Sequence, residues 1–419
     1  MNKGWHYAKV QQLISKGVRI PNPETVTIGE EVSLDGIAGH GVVIHAGSRI
    51  FGATTVIGEG CEIGFEGPVT IESCQLGPRV KLKGGYFSGS TFLESAAMGS
   101  AAHIRSGCLL EEESNGAHTV GLKQTILLPF VTLGSLINFC DCLMAGGTSR
   151  KDHSEVGSSY IHFNYTPDQD KATPSLIGDV PRGVMLNQRP IFLGGQGGLV
   201  GPVNIGFGTV IAAGTIYRKD FPKGNGLLFS GASIKKHQPH YPLLYPGIKR
   251  LIKNNINYIA NIIALRRWYL HVRSLFFGST TLQNALFNGA LEKLEMVIDE
   301  RIQRLGKVAE KMPQSIEVYQ GVMQDKASEK SIRLRREFFE QWARAEDFLR
   351  QCSHRTGHRA KSDAFLELIQ ESIRERGKDY IAVIKGMDDN GAALGIEWLQ
   401  EVVTEITSEA TEIIPSLTA

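Results

Sequence analysis

Along the first half of the chain an aliphatic residue followed by a small or acidic one returns at six-residue spacing. Ile28-Gly29 leads to Leu34-Asp35, Ile44 to Ile50, Ile57-Gly58 to Ile63-Gly64, Leu76-Gly77 to Leu82, and Met98-Gly99 to Ile104; later, Ile205-Gly206 leads to Ile211-Ala212. A six-residue period has a specific physical meaning. A short strand runs along each flat face of a triangular prism, one aliphatic side chain per face points to the axis, and a small residue turns the corner, where glycine tolerates positive φ. No single turn can bury its own apolar face, so stacking of successive turns supplies the core. Hairpins would place Asn-Gly or Asp-Gly between alternating strands, and an amphipathic helix would not carry this much glycine and β-branched content. The pattern therefore predicts a left-handed parallel β-helix over about 25–235, preceded by an N-terminal helix and lead-in over 1–24. Irregular spacing between repeat pairs predicts loops that protrude from several corners. The pattern degenerates over 110–135, where Glu111-Glu112-Glu113-Ser114-Asn115-Gly116 reads as a solvated loop or corner.

From about Pro246 the periodicity becomes helical. Ile248, Leu251, Ile252, Ile259, Ile262 and Ile263 share one face, followed by Trp268, Leu270, Val272, Leu275 and Phe276. A second stripe runs through Leu291, Leu294, Ile298, Ile302, Leu305 and Val308 in a helix that starts near Thr281. Others are expected near Glu329–Cys352, Ser362–Arg376 and Ala392–Ile414, with breaks at Gly278-Ser279 and Gly386. The expectation for 246–419 is an all-α region of about five helices, with no chemical motif and with stripes that serve core or subunit packing.

Composition sharpens this two-part picture. Most of the 47 glycines precede residue 235, and 419 residues exceed what one compact core holds. A net charge of +2 names no partner, but its distribution does matter. Between Phe221 and Leu291 there is no Asp or Glu, while Lys223, Lys235, Lys236, Lys249, Arg250, Lys253, Arg266, Arg267 and Arg273 all fall there. Such a field is offset by a cofactor's phosphates, an anionic membrane surface or an acidic patch on another subunit, or it is a solvated helix face. Trp268 and Tyr269 beside Arg266 and Arg267 also fit an interfacial helix. No nucleic-acid recognition motif accompanies the charge. No signal region opens the chain, and no stretch reaches the ~18 uncharged apolar residues of a membrane span. Six scattered cysteines without a C-x-x-C read as reduced thiols in a cytoplasm.

The segment Val156–Lys219 carries the chemistry. It holds Val156-Gly157, Ile161-His162-Phe163-Asn164-Tyr165, a polar loop through Lys171, then Ile177-Gly178-Asp179, Phe192-Leu193-Gly194-Gly195-Gln196-Gly197-Gly198-Leu199-Val200-Gly201-Pro202, and Ile211-Ala212-Ala213-Gly214-Thr215. This resembles the C-terminal acyltransferase domain of bifunctional enzymes that acetylate glucosamine-1-phosphate and make UDP-N-acetylglucosamine. The resemblance spans roughly 134–220, with looser repeat-level similarity from Val26. It implies a homotrimer with sites between subunits, acetyl-CoA or another acyl-CoA as co-substrate, and a sugar phosphate or nucleotide sugar as acceptor. It assigns Asn164, Tyr165 and Lys171 to acceptor binding, where an amide, a phenol and an ammonium suit hydroxyls and a phosphate. Gly195, Ala212 and Ala213 match the family's acyl-CoA ladder, where small residues let a pantetheine arm lie against the backbone. Lys235 and Lys236 would meet the phosphates of CoA.

Departures from that pattern are equally informative. The position of the family's general-base histidine is Asp141, between Cys140 and Cys142. A carboxylate with an ordinary pKa of ~3.9 is a poor base for an ammonium group unless its surroundings raise it. His162, two residues before Asn164 on an expected strand, is the preferred substitute, ahead of His153; a histidine stacked in a corner ladder is the competing reading. The family's upstream basic pair is replaced by Leu128-Pro129-Phe130 and Leu133-Gly134, and Arg182 and Arg189 are candidates for the anion contacts. A strand would put both sulfurs of Cys140-Asp141-Cys142 on one face and Asp141 on the other, which argues against a metal site. No glycine-rich nucleotidyltransferase loop or Rossmann-like pattern is present, so the chain alone is not expected to make a nucleotide sugar. Two readings remain: a CoA-dependent acyltransferase, or a non-catalytic scaffold or sugar-nucleotide-binding module whose helical half docks a partner or a membrane.

Overall fold

The computed structural model describes residues 3–229, 239–353 and 359–418. After helix α1 (Lys3–Ser15) the chain winds into a parallel β-solenoid with three faces. The first face is a ten-stranded parallel sheet that runs from Val43–Ile44 to Leu227–Leu228. The second runs from Thr27–Ile28 through Ile161–Phe163 to Ile216–Tyr217. The third runs from Val56–Ile57 through Ser175–Ile177 to Val203–Ile205. Strands Gly121–Leu127 and Asn138–Met144 bend across the corner between the second and third faces and join them into one sheet.

Register shows why the six-residue spacing holds the fold. On the first face Ile44, Ile63, Leu82, Met98, Gly116, Leu133, Val156, Leu193 and Ile211 stack in successive coils. Ile57, Ile63, Ile205 and Ile211, the axis residues expected from the pattern, are all buried. Leu34 is an exception. It sits in a short turn of 3-10 helix, and Ile37 pairs with Ile57 in its place. Corners are not reserved for glycine: Ser73, Arg79, Ser95, Glu113, Gln124 and Asp141 all take positive φ. Their amides reach back one coil, as Arg79 N–H does to the Glu59 carbonyl at 2.7 Å. A long excursion follows Met144, with a hairpin (Gly147–Ser149, Asp152–His153), the 164–174 loop and the short helix α2 (Val180–Gly183).

The C-terminal half forms helices α3 (Ile248–His271), α4 (Thr281–Glu310), α5 (Met312–Met323), α6 (Glu329–Glu340), α7 (Trp342–Cys352), α8 (Arg359–Arg376), α9 (Tyr380–Lys385) and α10 (Asp389–Ile413). That is eight among the described residues, against about five expected. Pro313 ends α4 and starts α5, because proline offers no amide to the preceding turn. A turn at Gln341 splits the expected 329–352 helix into α6 and α7.

These helices cover the third face of the solenoid. Its outward residues Gln75, Thr91, Leu109, Ile126, Leu143 and Leu176 are all buried, and α4 lies along the strands of the first three. Contact is close enough that a Cβ at Gly289 of α4 would stand 2.4 Å from Gln75 Oε1. The helical half is therefore not a free appendage.

Two sequence expectations are corrected here. Glu111 and Glu112 are not solvated: Glu111 accepts a hydrogen bond from Tyr269 Oη at 2.6 Å, and Glu112 pairs with the buried Arg273 guanidinium. The basic run is internal at its C-terminal end, while Arg250 and Lys253 near the start of α3 stay exposed. Arg266 pairs with Glu295, Arg267 donates to the Cys352 carbonyl, and Trp268 and Tyr269 are fully buried. The acidic residues missing from 221–291 come from elsewhere in the same chain. Among the described residues no helix is long and apolar enough to cross a membrane.

Candidate functional site

The expected acceptor residues follow the strand Ile161–Phe163 where the second face ends. Asn164, Tyr165 and Lys171 are exposed, Tyr165 to 60%. Thr173 Oγ1 donates to Asn164 Oδ1 at 3.2 Å, which steadies the start of the loop. The far side of the loop is held by the helical half. Asp168 Oδ1 accepts from the Leu243 amide at 3.1 Å, and its carbonyl accepts from Lys311 Nζ. Asp170, buried, accepts from Tyr245 Oη at 2.9 Å. The Lys171 carbonyl accepts from Arg301 Nη1 at 3.1 Å, and the Ala172 carbonyl from Asn255 Nδ2 at 3.0 Å.

The small-residue ladder lies on the opposite edge of the second face. Gly157, Gly194 and Ala212 occupy equivalent corners of consecutive coils, with Ser158, Gly195 and Ala213 beside them. A Cβ at Gly195 would stand 2.5 Å from the Ser158 carbonyl oxygen, so coil-to-coil packing by itself demands glycine there. Ala213 is exposed and Ala212 half-buried, leaving a shallow backbone-lined strip. A turn at Ser159 (φ 64°) and the strand Ile161–Phe163 separate the Ser158 corner from Asn164, with the strand spanning about 10 Å at ~3.3 Å per residue. Within one chain the two sets share a face without touching.

Asp141 and His162 are placed differently from the sequence expectation. Asp141 turns the corner between second and third faces with φ 59° and is 8% exposed. Its Oδ1 lies 2.8 Å from Arg301 Nη2, a guanidinium on α4 that is itself buried. Burial pushes the Asp141 carboxyl above its ordinary range, and the Arg301 charge opposes that shift. An ion-paired carboxylate under a helix is not presented to a substrate. His162 faces the interior. It follows Phe139 and precedes Leu199 in the axial stack, packs edge-on against Phe139, and has Nε2 2.8 Å from Ser175 Oγ. Burial lowers its pKa to about 4. His162 and Asn164 do not share a surface, because the strand ends at Phe163 and the chain turns outward.

The remaining candidates are dispersed. Arg182 is engaged by Asp179 and lies over the Phe207 ring at 5.0 Å, beside a cavity of about 180 Å3 lined also by Asn257, Asn261 and Gln400. Arg189, exposed, donates to Asn225 Oδ1 at 2.9 Å. Lys235 and Lys236 lie outside the described residues. His153 is half-buried on the hairpin, with Nδ1 2.9 Å from the Arg150 carbonyl oxygen. The corner at Asp141 also separates the two sulfurs: Cys140 is half-buried beside Arg105, and Cys142 is fully buried. Among the described residues no group of three or more His, Cys, Asp or Glu is placed to hold a metal ion. A larger cleft of about 1150 Å3 opens between the N-terminal coils and the helices, lined by Asp35, Glu59, Glu94, Phe277, Tyr380 and Lys385, and none of the candidate residues reaches it.

The residue that sequence reasoning missed is Arg301. It lies 130 positions beyond Lys171 on a helix whose stripe reads only as packing. A basic residue between Glu300 and Ile302 gives no local signal of a partner in another fold unit.

No family model matches the chain. It is 30% identical over 216 residues to the bifunctional protein GlmU of Pelobacter propionicus, covering 51% of this chain and 42% of that protein. It is 30% identical over 215 residues to GlmU of Thermotoga petrophila, with the same coverage, and 27% identical over 240 residues to GlmU of Corynebacterium aurimucosum, covering 56% and 44%. The chain thus resembles GlmU proteins over about half its own length, while spanning less than half of theirs.

Proposed function

We propose that the chain is a CoA-dependent acyltransferase-like protein that takes an amino-sugar phosphate or nucleotide sugar as acceptor, at sites assembled between the copies of a homotrimer. The observation that carries this reading is the pairing of two surfaces on one exposed face. The 164–171 loop offers an amide, a phenol and an ammonium at one edge, and the Gly195–Ala212–Ala213 strip offers open backbone at the other. One chain keeps them on opposite edges of that face, with the strand Ile161–Phe163 between them. Copies set side by side bring one chain's loop to the next chain's strip. Acetyl-CoA or another acyl-CoA would lie along the strip, with the thioester toward the loop, and Tyr165 and Lys171 would hold the phosphate or hydroxyls of the acceptor. The reaction would form an amide or ester on the acceptor and release CoA as a thiol, with the acceptor's proton passing to a base. Similarity to proteins named GlmU supports the acyltransferase-like module.

A second reading is favoured by the base position. With Asp141 paired to Arg301 and His162 inside the coil, neither is placed to take a proton from an acceptor held by Asn164 and Tyr165. The same surfaces would then bind a sugar nucleotide without transfer. One experiment separates the two. Thermal unfolding is followed with acetyl-CoA, glucosamine-1-phosphate or UDP-N-acetylglucosamine, and free CoA thiol is titrated in parallel. Stabilisation by both donor and acceptor with thiol release supports the transferase. Stabilisation by UDP-N-acetylglucosamine alone supports the binding module. Stabilisation by none refutes both.

A further inference from the structure

We propose that Arg301 is a positioning residue for the acceptor loop: its guanidinium, on α4, fixes the Lys171 end of the loop in its ligand-ready shape. The inference rests on the functional reading of that loop and adds what fixes it.

Four observations carry it. Arg301 is 1% exposed, yet it makes two contacts to separate parts of the solenoid. Nη2 pairs with Asp141 at the corner of one coil, and Nη1 donates to the Lys171 carbonyl at the end of the loop. Both of those residues are in the left-handed region, Asp141 at φ 59° and Lys171 at φ 57°, so each turn depends on outside support. The loop's other anchors come from the segment before α3, through Leu243 and Tyr245, and from the helices, through Asn255 and Lys311. Every one of these contacts lies at 168–172, while the exposed side chains of Tyr165 and Lys171 stay free of them.

A planar fork can serve a carboxylate and a carbonyl at once, whereas an ammonium is a single point charge on a flexible stem. Arg301→Lys therefore keeps the charge opposite Asp141 and gives up the bridge to Lys171. The consequence is selective. The Gly195–Ala212–Ala213 strip stands on the other edge of the face and has no contact with α4 in this network. Losing the bridge should weaken acceptor binding and leave donor binding alone, a split that a general loss of stability would not produce.

The test compares wild type, Arg301→Lys and Tyr245→Phe. Tyr245→Phe removes only the hydroxyl that reaches Asp170 and serves as a second loop anchor; if Arg301→Lys does not fold, the double variant Asp141→Asn, Arg301→Met, which strands no charge, carries the test. Hydrogen–deuterium exchange is measured over 164–171, and calorimetric titrations use glucosamine-1-phosphate, UDP-N-acetylglucosamine and acetyl-CoA. Expected are faster exchange confined to the loop in both variants, and a Kd for the acceptor raised about tenfold in Arg301→Lys with the Kd for acetyl-CoA within about twofold of wild type. Unchanged loop exchange overturns the proposal, and so does an equal loss of donor and acceptor binding. A wild-type protein that binds neither sugar compound refutes the functional reading instead; loop exchange then still decides whether Arg301 fixes the loop.

Discussion

Asp141 occupies a corner where the chain must take positive φ, in the stack that Ser73 and Gln124 turn in earlier coils. Aspartate adopts that conformation more readily than most residues, so its choice there has a backbone reason as well as an ionic one. Removing its charge isolates Arg301 under α4. Asp141→Asn should therefore destabilise the fold by about 3–5 kcal/mol, the usual cost of stranding one member of a buried ion pair. The double variant Asp141→Asn, Arg301→Met should recover a large part of that loss. Chemical denaturation of the four-member cycle measures it, and additive losses would mean that the two groups do not interact. His162 gives a second residue-scale test. Its folded pKa of about 4 lies below the ordinary 6.5, so the folded state resists protonation. Its contribution to stability should be complete above about pH 6.5 and be lost as pH drops from there through 4. His162→Leu should flatten that window while costing about 1–3 kcal/mol at neutral pH for the orphaned Ser175 hydroxyl. A wild-type minus His162→Leu stability difference that stays constant between pH 6.5 and 4 would contradict the burial argument.

At the scale of elements, the solenoid was readable because one aliphatic residue per six suffices to place an axis. The third face was less so, and its sequence explains why. Leu109-Leu110, Ile126-Leu127, Leu143-Met144 and Leu176-Ile177 are doubly apolar, since one residue of each pair faces the axis and the other faces α4 or its neighbours. A strand buried on both sides reads as a continuous apolar run and loses the alternation that marks a repeat. The same masking hid the acidic run. Three consecutive glutamates look solvated until a second fold unit brings Tyr269 and Arg273 onto them, and nothing within 110–135 specifies that contact. Burial pushes the Glu111 carboxyl up to about 7; the Arg273 charge works against this and the Glu112 charge with it. The sign is that of a raised acid. The folded state holds the proton more tightly than the unfolded one, so this group favours folding fully below about pH 4.5, and that contribution is lost as pH rises toward 7. Glu111→Gln keeps an acceptor for Tyr269 and removes the titration. Relative to wild type it should gain stability progressively between pH 4.5 and 7. Urea midpoints at pH 4.5 and 7.5 read the difference, and an identical gap at both would show that Glu111 does not titrate there.

For the whole molecule, the covered third face decides how copies can meet. With α4 and its neighbours on that side, the first and second faces are the ones left open among the described residues. Their C-terminal coils carry outward apolar side chains: Phe192, Val210 and Leu227 in register on the first face, and Ile161 and Ile216 on the second. Earlier coils put Val43, Glu62, Lys81, Ala97, Asn115, Thr132 and Glu155 at the corresponding positions of the first face, so large exposed apolar side chains at this position begin with the coil of Phe192. Apolar positions gathered on one part of a surface mark an interface when their area is contiguous. If copies join there, the loop of one and the strip of the next face each other across the same contact, and assembly and ligand binding become one property. Light scattering should then give three times the 45.9 kDa chain mass. Replacing Phe192 and Val210 together by aspartate should yield monomers with unchanged circular dichroism, since both side chains are about 39% exposed and support no core. Those monomers should lose the thermal stabilisation by acetyl-CoA that the assembled protein shows. Retention of that stabilisation in a proven monomer would mean that one chain holds the donor unaided, and the proposed site between copies would have to be replaced by one within the chain.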